Sequence, residues 1–171
     1  MVQMDFGGVK ENVVTRKEFT VEQAQAVLKD EVVAVLGYGI QGRAQALNMR
    51  DNGIKVIIGQ STQFPETYEI AVKDGWVPGE TLFSLEEAAQ KGTIKLYLLT
   101  DSGQKAVWPK IKDFFKEGDA LYFSHGFSIV YGNMTGVIPP KNIDVILVAP
   151  KGSGNSVRRN FVAGSGINSS F

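Results

Sequence analysis

Five runs of apolar residues, each about as long as a β-strand, divide the chain into regular intervals. They cover residues 32–36, 56–58, 96–99, 120–123 and 145–148. The runs are continuous instead of alternating with polar residues, which is typical of strands covered on both faces in a parallel sheet. The pattern therefore predicts five buried strands.

Helical patterns fall between several of these strands. They cover residues 41–50, 67–73, 85–91 and 104–116, with Pro109 as a candidate kink. Thr20 and Gln23 resemble a capping box that opens a short helix to about residue 29, and residues 1–18 read as a polar N-terminal arm. Strands alternating with helices predict an α/β, Rossmann-like, doubly wound and mostly parallel sheet with helices on both faces.

The chain length and composition narrow the function. At 171 residues without internal repeats, we expect one domain over residues 1–171. Basic and acidic residues balance at 18 each, so there is no overall field to attract nucleic acid or an anionic membrane, and any anion must be bound locally. The absence of cysteine excludes thiolate metal sites, and residues 1–10 resemble no targeting peptide. We expect a cytoplasmic location in preference to an organelle matrix.

A glycine-rich motif follows the first apolar strand and precedes a helix. It consists of Gly37, Tyr38, Gly39, Ile40, Gln41 and Gly42. In a dinucleotide site the first glycine permits the tight turn, the second lets the backbone approach a pyrophosphate, and the third lets the helix pack on the strand. Because strand, motif, helix and second strand come in the required order, dinucleotide binding is favoured over a turn with only a packing role.

The loop after the second strand leaves the choice of cofactor open. An acid at this point would bind the adenine ribose of NAD, and a base would bind the 2′-phosphate of NADP. Residues 61–66 contain neither at the expected position, although Ser61 and Gln63 can hydrogen-bond a phosphate and Glu66 can accept from a ribose hydroxyl.

Polar residues follow the other strands, where open α/β sheets bind ligands. Asp101, Ser102, Gly103 and Gln104 either line the cofactor site or form an ordinary helix cap. His125, the only histidine, is either catalytic or structural. Lys151, with the glycines after it, either holds an anion or is a solvated helix start, and Arg158 and Arg159 read as surface charge.

Taken together, four segments resemble ketol-acid reductoisomerase (acetohydroxy acid isomeroreductase). They are residues 37–42, 46–53, 124–127 and 149–154, and the resemblance runs from residues 5–8 to residues 166–171. It implies cofactor contacts from Tyr38, Gly39, Ile40 and Gln41, from residues 101–104 and from Gly154. It also implies that His125 is the active-site histidine and that Lys151 borders the substrate pocket.

The same resemblance implies an activity. Family members rearrange 2-acetolactate or 2-aceto-2-hydroxybutyrate by a Mg²⁺-dependent alkyl migration and reduce the product, by default with NADPH, to a 2,3-dihydroxy acid. NADH is the other possibility, since residues 61–66 lack a base. The family's metal ligands lie in a helical domain that would follow Phe171, so we expect no metal ligand here. The isolated chain should bind cofactor without turning over substrate, and a homo-oligomer is expected for the full-length enzyme.

Two other functions compete with this interpretation. A non-catalytic module that senses NAD(P)H would not need His125. A short-chain-type reductase would need a tyrosine with a lysine four residues later, and none of the five tyrosines has one. Glu86, Glu87, Asp113, Glu117 and Asp119 are the acids weighed as a metal site, and a solvated surface is the better interpretation of them.

Overall fold

A six-stranded parallel sheet forms the centre of the protein, for which a computed structural model describes residues 1–171. The whole chain has ten strands, six of them in this sheet: β1 (Val2–Phe6), β2 (Val9–Val13), β3 (Val33–Leu36), β4 (Val56–Gly59), β5 (Leu82–Phe83), β6 (Ile94–Tyr97), β7 (Ala120–Phe123), β8 (Asp144–Leu147), β9 (Ala149–Pro150) and β10 (Ser169–Ser170). The central sheet has the order β5-β4-β3-β6-β7-β8. Strands β4 and β5 thus follow on one side of β3, and β6, β7 and β8 follow on the other side. The strand order therefore reverses between β3 and β6, which is the switch point of the sheet.

Helices cover both faces of this sheet. They are α1 (Val21–Val27), α2 (Ile40–Asp51), α3 (Pro65–Lys73), α4 (Leu85–Lys91), α5 (Asp101–Ile111), α6 (Phe127–Val130), α7 (Gly132–Thr135) and α8 (Gly154–Val162), and a 3₁₀ turn (Lys112–Phe114) continues α5. None of them combines the length and apolar content needed to cross a membrane. The Rossmann-like fold predicted from the sequence is confirmed.

The core consists of two apolar layers, one on each face of the sheet. Successive side chains of a strand point to opposite faces, so Val33 and Val35 join one layer while Ala34 and Leu36 join the other. Trp76 lies in the first layer and Trp108 in the second. The continuous apolar run of β3 therefore reflects burial on both sides, as the pattern predicted.

The N-terminal arm contains regular structure that the sequence analysis missed. β1 and β2 pair as an antiparallel hairpin, whose turn uses Gly7 and Gly8 at φ values of 69° and 94°. Only glycine adopts such angles without strain, and a Gly-Gly pair between two alternating segments is a hairpin signal. The capping box of Thr20 and Gln23 is present and opens α1.

Two strands differ from the prediction of five buried ones. The last of the five predicted strands, β8, lies at the sheet edge, pairs only with β7 and is exposed at every residue. One strand of the sheet, β5, was not predicted; it has only two residues and pairs with β4 at the opposite edge. Apolar content alone therefore did not distinguish an edge strand from a central one, and a two-residue strand is too short for the pattern to detect.

A buried ion pair lies beneath the sheet, at the end away from the carboxyl termini of the strands. The Lys95 side chain is fully buried, its ammonium group pairs with Asp119, and it lies 4.6 Å from the ring centroid of Phe115. Burial lowers the pKa of Lys95, while Asp119 favours its charged form. The same Asp119 oxygen accepts from the backbone N–H of Lys116 at 2.8 Å. The pair therefore joins β6 to the loop that precedes β7.

Asp119→Ala should destabilise the fold, because it leaves the Lys95 ammonium buried without a counter-charge. We expect the free energy of unfolding to fall by about 3–5 kcal/mol in urea denaturation. Lys105→Met, at an exposed lysine of α5, should change it by less than about 0.5 kcal/mol. A loss below about 1 kcal/mol for Asp119→Ala would contradict a structural role for the pair.

Candidate cofactor-binding and active site

The three glycines of the motif occupy three different environments. Gly37 has a φ of 101°, and a Cβ there would meet the carbonyl oxygen of Leu98 at 3.1 Å. A Cβ on Gly42 would overlap the carbonyl group of Gly37, so α2 sits directly on the turn. A Cβ on Gly39 would meet nothing within 4 Å. Gly37 and Gly42 thus serve the turn and its packing, while Gly39 leaves open space above the backbone.

The N-terminus of α2 lies at this open space. Gly39 is the N-cap and supplies no side-chain hydrogen bond to the helix. The first N–H groups of α2, those of Ile40 and Gln41, therefore have no side-chain cap, and the helix dipole adds partial positive charge. This arrangement suits the pyrophosphate of a dinucleotide.

The side chain of Tyr38 points into the protein instead of towards the open space. It is 2% exposed, its hydroxyl donates to Asp74 at 2.9 Å, and it accepts from Nε1 of Trp76 at 2.6 Å. Arg43 makes two hydrogen bonds to the same carboxylate, at 2.6 and 2.9 Å. Burial raises the pKa of Tyr38 above its usual range, and the Arg43 guanidinium lowers the pKa of Asp74. Any contact of Tyr38 with a cofactor is therefore a backbone contact.

Gln60 connects the glycine-rich turn to the loop after β4. This buried side chain accepts from the backbone N–H of Tyr38 at 2.8 Å and donates to the Thr67 hydroxyl at 2.7 Å. It thus stands where an acid would bind ribose in an NAD site, but both of its polar ends are used within the fold. The sequence analysis did not assign it this role.

A cleft of about 1050 Å³ opens beside the motif, between the ends of β4, β5 and β6. Six lining residues had been cofactor candidates from the sequence, namely Gly37, Tyr38, Gly39, Ser61, Gln63 and Gly103. Those on β5 and further along α5 were missed, among them Phe83, Ala106, Val107 and Lys110. The capping box of Ser84 and Glu87 was a usable signal, since it places a helix start directly after Leu82 and Phe83.

The loop of residues 61–66 forms one wall of this cleft, but not with all of its residues. Ser61, Thr62, Gln63 and Phe64 line it, whereas Glu66 does not. Glu66 is exposed in the first turn of α3. The hypothesis that Glu66 accepts from a ribose hydroxyl is therefore not supported by its position.

Residues 101–104 form the first turn of α5, at the switch point. The helix cap is Thr100, whose hydroxyl accepts from the N–H of Gly103 at 3.2 Å. Gln104 is buried and donates to the carbonyl groups of Tyr97 and Leu99 at 3.0 and 3.1 Å, so its side chain faces the core. Gly103 lines the cleft, whereas Asp101 and Ser102 do not.

His125 lies after β7 and meets Asp101. Its Nε2 is 3.3 Å from Oδ1 of Asp101, and its Nδ1 accepts from the backbone N–H of Phe127 at 3.4 Å. The imidazole is 57% exposed, so a substrate can reach it. Two residues chosen separately from the sequence are thus adjacent at the carboxyl ends of β6 and β7.

The segment after β8 folds back onto the start of α2. The Gln41 amide donates to the carbonyl of Gly152 at 2.9 Å, and a Cβ on Gly154 would overlap the backbone of Ile40. Gly154 therefore lets the start of α8 pack on the start of α2. Lys151 is exposed and has no ion pair or hydrogen bond to His125.

Arg158 ties the two helices together further along. Its guanidinium donates to Asn48 at 2.9 Å and to Asp51 at 2.6 Å, so it does more than the surface charge that was expected, whereas Arg159 is exposed. No three histidine, aspartate or glutamate side chains lie close enough together to hold a metal ion. The residues of this chain therefore do not fit the Mg²⁺ site that the resemblance implies for the family.

Comparison with known proteins agrees with this geometry. The family model described as "Acetohydroxy acid isomeroreductase, NADPH-binding domain" matches residues 27–170. The chain belongs to the ketol-acid reductoisomerase family. Within it, the chain is an NAD(P)H-binding domain of the Rossmann type.

Two ketol-acid reductoisomerases that are similar in sequence show how much of such a protein the chain covers. It is 65% identical over 171 residues to ketol-acid reductoisomerase (NAD(+)) of Desulfosudis oleivorans, covering 100% of this chain and 48% of that protein. It is 50% identical over 168 residues to a probable mitochondrial ketol-acid reductoisomerase of Schizosaccharomyces pombe, covering 98% and 41%. The chain thus spans about half the length of these relatives.

Solved structures show the same family and the wider fold. An NADH-preferring ketol-acid reductoisomerase from an uncultured archean superposes with a TM-score of 0.77 at 37% identity, over 85% of this chain and 43% of that one. A 3-hydroxyisobutyrate dehydrogenase of Mycobacterium tuberculosis superposes with a TM-score of 0.59 at 14% identity, over 76% and 44%, which shows the fold alone.

Gly39→Val should fold normally and lose cofactor binding. The side chain enters space that the protein leaves empty, but it blocks the backbone approach of a pyrophosphate. We expect NADH affinity, followed by nicotinamide fluorescence, to fall by at least about 100-fold with little change in melting temperature. The matched variant Gly42→Val should instead destabilise the fold, because its side chain overlaps the Gly37 backbone. Undiminished affinity in folded Gly39→Val would place the pyrophosphate elsewhere.

Proposed function

We propose that the chain is the cofactor-binding part of a ketol-acid reductoisomerase of valine, isoleucine and leucine biosynthesis. The enzyme would convert 2-acetolactate or 2-aceto-2-hydroxybutyrate by alkyl migration and then reduce the product to a 2,3-dihydroxy acid. The observation that carries the proposal is the position of the His125–Asp101 pair at the same edge of the sheet as the glycine-rich turn. The turn follows β3 and His125 follows β7, two strands away, which is about 10 Å at normal strand spacing.

The cofactor would lie across the carboxyl ends of the strands. Its adenosine half occupies the cleft, its pyrophosphate meets the N-terminus of α2 at Gly39, and its nicotinamide half extends over β6 towards His125. Ser102, Gly103 and Gly154 would border that half. His125 would exchange a proton with a substrate oxygen, and the exposed ammonium of Lys151 would attract the substrate carboxylate.

We propose NADH as the preferred cofactor over the NADPH that is the family default. The cleft wall formed by residues 61–64 has hydroxyl and amide groups but no base, so a 2′-phosphate finds no cation on this side. The relative at 65% identity carries NAD(+) in its name. NADPH is the second candidate because Lys91 and Lys110 also line the cleft, although Lys110 lies 3.8 Å from Glu86 and Lys91 lies over the Phe83 ring.

Titration of the chain with each cofactor tests this preference. We expect NADH to bind at least about tenfold more tightly than NADPH. Gln63→Arg should raise NADPH affinity by about tenfold, since a guanidinium in the cleft wall can pair with the phosphate. Gln90→Arg adds the same charge to an exposed position that does not line the cleft and should leave both affinities unchanged. Tighter NADPH binding that Lys110→Ala abolishes would favour the second candidate.

A chimera tests the catalytic role. The 171 residues would replace the matching residues of the Desulfosudis oleivorans enzyme, and NADH oxidation would be followed with 2-acetolactate. His125→Ala in this chimera should lower kcat by about 100-fold or more while NADH affinity stays nearly unchanged. Full turnover without the imidazole would contradict catalysis by His125. A folded chimera that binds NADH but has no turnover even with His125 present would favour the alternative, an NAD(P)H-sensing module.

The remaining parts of the proposal concern the whole protein. We propose one nucleotide-binding domain over residues 1–171, a cytoplasmic location and a homo-oligomer for the full-length enzyme. The substrate is a small molecule, and neither nucleic acid nor membrane takes part. Mg²⁺ is the metal that the resemblance implies, but these residues offer no ligand set for it, so we assign it no step.

A further inference from the structure

The carboxylate of Asp101, the first residue of α5, does not cap this helix. Thr100 caps α5 through its hydroxyl, and Asp101 follows as the first helical residue. Oδ1 of Asp101 is buried and has no hydrogen-bond partner of good geometry. A buried carboxylate oxygen without a donor is unfavourable, so the position calls for a donor close by.

His125 is the donor within reach. Its Nε2 lies 3.3 Å from Oδ1, but the two atoms do not form a hydrogen bond of good geometry, and a rotation of the exposed imidazole would align them. No other side chain forms an ion pair with Asp101. The two residues come from different strand ends, so their proximity results from the fold and not from sequence spacing.

The backbone of Phe127 indicates which ring nitrogen carries the proton. Its N–H points at Nδ1 of His125, at 3.4 Å, so Nδ1 acts as an acceptor and has no proton in the neutral ring. The proton then resides on Nε2, the nitrogen that faces Asp101. Both contacts agree on the same tautomer.

We infer that Asp101 is a positioning residue that holds His125 as the Nε2–H tautomer and leaves Nδ1 as the proton-accepting nitrogen. A carboxylate that holds one imidazole nitrogen orients the other towards its reaction partner. The contact of Nδ1 with Phe127 is long and therefore weak, so an oxygen-bearing substrate can replace it. This inference rests on the proposed function only for the identity of that substrate; the tautomer itself does not depend on it.

The test uses the single histidine of the chain, which gives one imidazole signal set in a ¹⁵N nuclear magnetic resonance spectrum. At a pH where the ring is neutral, the wild type should show Nε2–H as the only tautomer, with a nuclear Overhauser contact between the Nε2 proton and the Asp101 β protons. Asp101→Ala should lose the preference for one tautomer and the protected Nε2–H signal. Lys105→Ala, at an exposed position of the same helix, should keep both.

Either of two results would overturn the inference. One is an Nδ1–H tautomer in the wild type, which decides the question even if Asp101→Ala fails to fold. The other is a folded Asp101→Ala whose tautomer and Nε2–H protection equal those of the wild type. An NADH titration of the same wild-type sample separates the two proposals, since failure to bind NADH would count against the proposed function and leave the tautomer result standing.

Discussion

Direct contact between backbones, without side chains between them, determines the shape of the ligand-binding edge. Gly42 places the first turn of α2 on the carbonyl of Gly37, and Gly154 places the start of α8 on the backbone of Ile40. Any side chain at either glycine would push the two elements apart, because closely packed backbone has no rotamer with which to adjust. The positions of both helix starts, and of everything that they present to a ligand, follow from these two contacts.

A polar network inside the protein fixes the glycine-rich turn from the side opposite the cleft. Gln60 accepts from the backbone of Tyr38, the Tyr38 hydroxyl donates to Asp74 and accepts from Trp76, and Arg43 donates to the same Asp74 carboxylate. Buried polar groups of this kind are favourable only when their partners are in place, so the network allows few alternative arrangements of the turn. The exposed backbone at Gly39 is thereby fixed without any side chain of its own reaching the cleft.

The sequence predicted most of the fold because its signals were local. The apolar runs located β3, β4, β6 and β7, and the capping residues located α1. Two features escaped prediction. The exposure of β8 depends on what packs against it, which its apolar composition does not show, and β5 was too short to give a pattern. The Gly7-Gly8 turn did carry a local signal for the N-terminal hairpin, which the analysis did not use.

The candidate site shows the same division. The residues that follow strands could be chosen from sequence, since parallel strands bring their carboxyl ends to one edge. The direction in which a side chain points could not be predicted from sequence. The polar groups of Tyr38 and Gln104 turn to the core, and Glu66 does not line the cleft. The proximity of His125 and Asp101 was also beyond prediction, because it depends on the adjacency of β6 and β7.

The loop after β4 contains some residues that are held to the fold and others whose side chains only line the cleft. Ser61 and Gln60 are tied to the fold, but the side chains of Thr62, Gln63 and Phe64 are exposed and make no hydrogen bonds, although all three line the cleft. Substitutions at such exposed positions usually change stability by less than about 0.5 kcal/mol. Evolution can therefore vary these three residues at almost no cost to folding, so under the proposed function a change of cofactor preference would leave the scaffold intact.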